Sequence, residues 1–254
     1  CGAGFLLDKG VKTTICDSDS FDFEVTSGDD TVIRAVLDIL NLKETNFKVI
    51  QDIELPIGAG FGTSAASALS LTLALNEFLD LNYPEELCGQ IAHMAEVNLG
   101  AGLGDVIAQT GKGLVLRTKP GAPGIGEIES YECGAYIGYK TFGSIETSDI
   151  ICDPHHKKVI SEAGLKYLDL FKQEPTLDKF LEFSKKFSSE TKLICEDVQR
   201  EIDYFNSIDD ILGSSMAMLG NTVFALSYNK STFKNLGIDN LHVDKLNNDG
   251  IVYD

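Results

Sequence analysis

Between residues 31 and 40 apolar side chains recur at Val32, Val36, Leu37 and Leu40, the three-to-four spacing of an amphipathic helix. Ahead of it, residues 11–15 and 21–25 alternate β-branched or aromatic residues with polar ones between Asp/Ser clusters, which predicts a hairpin-like strand pair. Residues 47–53 suit a further strand, ended at Pro56. The stretch 58–64, Gly-Ala-Gly-Phe-Gly-Thr-Ser, holds too much glycine for regular structure, whereas the Ala- and Leu-rich run 65–79 predicts a buried helix. Residues 85–97 follow as a second helix, with Pro84 at its start and acidic residues in its first turn. The Gly-Ala-Gly-Leu-Gly run at 100–104 breaks it. Strands are expected at 113–118 and 135–139, then long charged amphipathic helices near 155–171, 177–187 and 193–205, with Asp153-Pro154 opening the first of these as cap and first-turn proline. Strand-like segments return at 222–228, 240–243 and 251–253. The shift in composition near residue 140 divides the chain into an expected N-terminal unit, 1–140, and a C-terminal unit, 141–254.

With 254 residues and 43% hydrophobic positions, the chain is long and apolar enough to bury a core. Its 21 Lys and Arg stand against 39 Asp and Glu, a net charge of −18 that repels a phosphate backbone, so no nucleic-acid partner is expected. No apolar run reaches the length of a membrane span and the opening residues lack the pattern of a signal peptide, so no membrane partner and a cytoplasmic location are expected. Six scattered cysteines with no Cys-x-x-Cys pair read as free thiols. The opening Cys1-Gly2-Ala3-Gly4 reads as the middle of a loop.

The glycines at 58–62 carry the chemistry. A glycine loop at the mouth of a helix presents backbone N–H groups at the positive end of the helix dipole, an arrangement that suits phosphate. Thr63 and Ser64 add two hydroxyls for the phosphate or a metal ion. A tight strand-to-helix turn packed by alanines explains the glycines equally well when they are taken alone. Gly60-x-Gly62-x-x-Ala65 matches a dinucleotide fingerprint, but the next predicted element is a helix rather than a parallel strand. Gly111-Lys112 is followed by Gly113 and so fails as a P-loop.

Pro56-Ile57-Gly58-Ala59-Gly60-Phe61-Gly62-Thr63-Ser64-Ala65-Ala66 resembles the second signature of the GHMP superfamily kinases, with Thr63 in place of its first serine. Ala92-His93-Met94-Ala95-Glu96, Gly102-Leu103-Gly104-Asp105-Val106 and 113–117 are similar to the archaeal pantoate kinase branch of that superfamily, and 215–225 resembles its third motif. The resemblance implies an α+β GHMP kinase fold, with an S5-like N-terminal sub-domain and a ferredoxin-like C-terminal one. It also implies ATP and Mg²⁺ as cofactors, pantoate as the small-molecule partner, and a homodimer as one option. It further implies that Gly2-Ala3-Gly4 corresponds to a position some two dozen residues into those proteins, so that a first strand and first signature are expected upstream. The alternatives are another GHMP acceptor (mevalonate, homoserine, shikimate or a sugar), a non-catalytic protein on the same fold, and a dinucleotide-binding oxidoreductase.

By that resemblance the loop residues Pro56, Gly58, Gly60, Phe61, Gly62, Thr63, Ser64 and Ala65 wrap the nucleotide phosphates, Ser64 and Glu96 hold the metal, and Asp105 acts on the acceptor hydroxyl. Read on their own, Glu96 is better taken as a solvated helix residue and Asp105 as the cap of a short helix at 106–110. Arg117 matches an arginine that binds the substrate carboxylate, a task suited to a guanidinium. His93, three residues before Glu96 on the same helix face, and Thr147 are further substrate-binding candidates. His155 and His156 are adjacent on a helix, so their side chains diverge, and they read as surface residues.

Overall fold

The computed structural model describes residues 1–42, 46–144, 154–218 and 220–253. In chain order the elements are β1 (Gly2–Phe5), β2 (Val11–Asp17), β3 (Asp22–Val25), α1 (Thr31–Ile39), β4 (Phe47–Ile53), α2 (Thr63–Phe78), α3 (Glu85–Asn98), α4 (Asp105–Gln109), β5 (Leu114–Lys119), β6 (Glu127–Tyr131) and β7 (Tyr136–Ser144). They continue with α5 (Pro154–Gln173), α6 (Leu177–Thr191), α7 (Glu196–Phe205), β8 (Gly213–Met216), β9 (Gly220–Ser227), α8 (Lys230–Lys234) and β10 (His242–Lys245).

The expected hairpin of β2 and β3 does not form. β4 lies between them, antiparallel to β2 with Val11 opposite Ile53, and parallel to β3 with Asp22 opposite Lys48. Burial explains the order. β4 buries Phe47, Val49 and Gln51, whereas β2 and β3 leave most of their polar positions in solvent, so the more apolar strand takes the centre and the polar ones the edges. Helix α2 covers this sheet, α1 and α3 pack against α2, and one core joins them through Ile33, Val36 and Leu37, Leu71 and Leu75, and Ile91. Small residues at the contact, Ala65 and Ala68 on α2 with Ala92 and Ala95 on α3, are all fully buried and let the helices approach closely.

Gly2–Phe5 is a strand rather than the middle of a loop. β1 pairs antiparallel with β5, Gly2 opposite Arg117, and β6 flanks β5 on its other edge. The four-stranded antiparallel sheet β10-β7-β9-β8 forms the remaining layer. Alternation along β9 sends Phe224 and Leu226 toward Phe180 and Leu181 of α6 and Phe171 of α5, while Val223 and Ala225 meet Val198, Ile202 and Phe205 of α7. Leu7 bridges to Leu246 and joins this sheet to the β1-β5-β6 sheet. Residues 251–253 carry no strand, and Asp153 lies outside the described residues. Among the described residues no helix is long and apolar enough to cross a membrane.

Candidate active site

Helix α2 begins where the glycine loop ends. Gly58, Gly60 and Gly62 have φ of 71°, 87° and 63°, the left-handed region in which a Cβ is strained. Gly62 is the N-cap of α2 and supplies no side-chain cap, so the first-turn N–H groups are left for a ligand. The loop is held from two sides. Gly220, the first residue of β9, packs so tightly on Ala59 that an added Cβ would overlap its carbonyl, and a Cβ on Gly60 would come within 2.9 Å of Ala217. From α4, Gln109 donates Nε2–H to the Gly62 carbonyl at 2.9 Å. Phe61 rests edge-on against Tyr139, with ring centroids 4.9 Å apart.

In the first turn of α2, the Ser64 hydroxyl donates to Glu96 Oε1 of α3 at 2.5 Å. Glu96 is 1% exposed, and burial pushes its carboxyl up to about 7; the Asp105 charge pushes the same way, while the bonds from Ser64 and the Gly102 N–H pull back. The 100–104 bend brings the two acids together: a Cβ on Gly102 would stand 2.5 Å from Asp105 Oδ2 and 3.9 Å from Glu96 Oε2. Asp105 is the first helical residue of α4, with Gly104 as the cap, so its carboxylate is not spent on capping.

Arg117 reaches this cluster from β5. Its guanidinium lies between two glycines, where a Cβ on Gly104 would overlap Nη1 and one on Gly2 would come within 2.6 Å of Nη2. Burial draws the guanidinium below its usual value and the charge of Asp105 opposes that, so the carboxylate is the arginine's main electrostatic support. Glycine loop, Ser64, Glu96, Asp105, Gln109 and Arg117 all line one cleft of about 2050 Å³, closed on the far side by α5 and α6.

Pro56 and Ala65 do not line this cleft, and Ala65 is buried in the helical core. Nor does His93, whose Nδ1 is buried without a hydrogen-bond partner among the described residues. His156 is exposed, and Thr147 lies outside the described residues. Sequence reasoning missed Gln109, although its place four residues after Asp105 in an expected short helix put both on one face. It also missed Thr222, a fully buried residue of β9 that lines the cleft.

The donor set suits a hard divalent cation. Ser64 Oγ and the Glu96 carboxylate are two oxygen donors side by side, and among the described residues no cation supports the buried acid. Among the described residues no group of three or more His, Cys, Asp and Glu could hold a metal alone.

Residues 30–113 match the family described as GHMP kinases N terminal domain. A curated pantoate kinase of Methanocaldococcus jannaschii is 34% identical over 229 residues, covering 89% of this chain and 83% of the relative. A solved phosphotransferase related to the CoA biosynthesis pathway superposes with a TM-score of 0.82 at 25% identity, over 97% of this chain and 86% of that one. The L. major mevalonate kinase in complex with R-mevalonate shares the fold with a TM-score of 0.75 at 13% identity, over 98% of this chain and 90% of that one. The chain belongs to the GHMP kinases, which use ATP, and within them to the pantoate kinase family.

Proposed function

We propose that this chain transfers the γ-phosphoryl group of ATP to the primary hydroxyl of pantoate, giving 4-phosphopantoate, and that it does so in the cytoplasm. The observation that carries the reading is the convergence of the Ser64–Glu96 pair, Asp105 and Arg117 on the mouth of the glycine loop. Loop N–H groups and the positive end of α2 receive the phosphates of ATP. Ser64 and Glu96 would hold Mg²⁺, which supplies charge neutralisation for the phosphate oxygens. Asp105 orients the acceptor hydroxyl and accepts its proton as the new O–P bond forms and ADP leaves. Arg117 pairs with the acceptor carboxylate, which a chain of net charge −18 would otherwise repel.

The fixed guanidinium beside the proposed base supports an acceptor that carries a carboxylate, and the name of the M. jannaschii relative supports pantoate among such acids. The test is ADP release with Mg-ATP across pantoate, mevalonate, homoserine and shikimate. Pantoate-dependent turnover is expected, with loss on EDTA addition and recovery with Mg²⁺. Turnover with another acceptor, or none with pantoate, would refute the assignment.

A further inference from the structure

Thr222 is 0% exposed, and its Oγ1 has no hydrogen-bond partner among the described residues. A hydroxyl shut away from water without a partner costs stability, and valine would fill the same space without that cost. Such a group in a native fold calls for an explanation, and a ligand is one when the group borders a cleft. Thr222 does so. It sits opposite Thr141 of β7, and its carbonyl accepts the N–H of Ala217, the residue that touches Gly60 of the glycine loop. Alternation along β9 gives it the same face as Phe224, the face that packs on α6 and β1.

Its relation to Arg117 follows from the strands. Phe5 of β1 rests against Phe224 of β9 at 6.1 Å, while Leu7 and Leu246 are bridged at the far end. Moving away from that bridge, β1 leads to Gly2 opposite Arg117, and β9 leads to Thr222, at the same end of the two sheets. The phosphates are served by backbone N–H groups and Ser64 at the start of α2.

We propose that the Thr222 hydroxyl is a direct hydrogen-bonding contact for the acceptor, meeting an oxygen of the hydroxy acid whose carboxylate pairs with Arg117. This rests on the function proposed above and adds a second polar contact from the opposite sheet. The third motif then has two tasks: Ala217 and Gly220 back the nucleotide loop, while Thr222 reads the acceptor.

The test compares the wild type with Thr222→Val and Thr222→Ser, varying pantoate and Mg-ATP separately and recording thermal unfolding without ligand. Thr222→Val should raise the pantoate KM about ten-fold, the range for a lost hydrogen bond to a polar ligand group, with the ATP KM changed less than two-fold. Its unfolding midpoint should equal or exceed that of the wild type, because an unpaired buried hydroxyl has gone. Thr222→Ser should keep a pantoate KM within about three-fold of the wild type. If the wild type turns over no pantoate, the functional reading fails and takes this inference with it. With an active wild type, an unchanged pantoate KM in Thr222→Val overturns the inference alone. So does a rise confined to the ATP KM, or a variant that fails to fold, because the hydroxyl would then serve the nucleotide or the sheet.

Discussion

Replacing Glu96 by Gln separates what the acid does for the fold from what it does for the ligand. Glu96 is 1% exposed and its carboxyl titrates near 7 rather than at the 4.5 of a free side chain. Because the folded state holds the proton more tightly, the group's favourable contribution is complete below pH 4.5 and is lost as pH rises through 7. A displacement of that size corresponds to about 3 kcal/mol of destabilisation of the ligand-free protein above pH 8. Glutamine keeps the shape and an acceptor for the Ser64 hydroxyl but has no charge to bury. Glu96→Gln should therefore match the wild type within about 1 kcal/mol at pH 5 and exceed it by about 3 kcal/mol at pH 8.5. For a chain of this size that is roughly 6–12 °C in unfolding midpoint. Thermal and urea unfolding without nucleotide or metal at the two pH values measure it. Mg-ATP should then raise the midpoint of the wild type and not of the variant. A variant less stable than the wild type at both pH values, or a difference independent of pH, would refute the assignment of a charged acid held against its own burial cost.

Gly104→Ala should act as a loss of Arg117 without touching it, since the new Cβ overlaps the guanidinium while the φ of −147° lies outside the left-handed region that calls for glycine. Its pantoate KM should rise as far as that of Arg117→Ala, roughly tens to thousands of fold for one lost partner of a charged pair, with the ATP KM little changed. Arg117→Lys should recover only part of the loss, because an ammonium keeps the charge without the planar two-point geometry. Asp105→Asn should lower kcat by roughly 10²–10⁴-fold while nucleotide binding, followed by titration calorimetry, persists. Gln109→Met, which removes the donor to the Gly62 carbonyl, should raise the Mg-ATP KM about five-fold and leave the pantoate KM unchanged.

The helices were readable because their periodicity is local. The expected 31–40 helix is α1, 85–97 is α3 to within a residue, and 47–53 is β4. Strand pairing was less readable, because alternation says which residues form a strand and nothing about which strand lies beside it. β2 and β3 look like a hairpin until β4, some two dozen residues later, proves the more apolar and displaces them to the edges. Gly2–Phe5 failed differently. Two glycines in four residues signal a loop by propensity, yet at least Gly2 is there because Arg117 leaves no room for a Cβ opposite it.

The same steric logic links the motifs into one site. Four of the glycines that sequence reading assigned to loops prove to be contact surfaces, Gly60 for Ala217, Gly62 for Gln109 and Asp105, Gly102 for the two carboxylates and Gly104 for Arg117, whereas Gly4 and Gly100 face open space. A side chain at any of those contact positions would drive apart groups that must meet. The glycine pattern therefore encodes the close approach of the nucleotide loop, the two acids and the guanidinium. The polar partners that complete the site, Gln109 and Thr222, escaped notice because neither residue type is unusual in a helix or a strand. What marks them is burial beside the cleft, and burial is settled only once the sheets have packed.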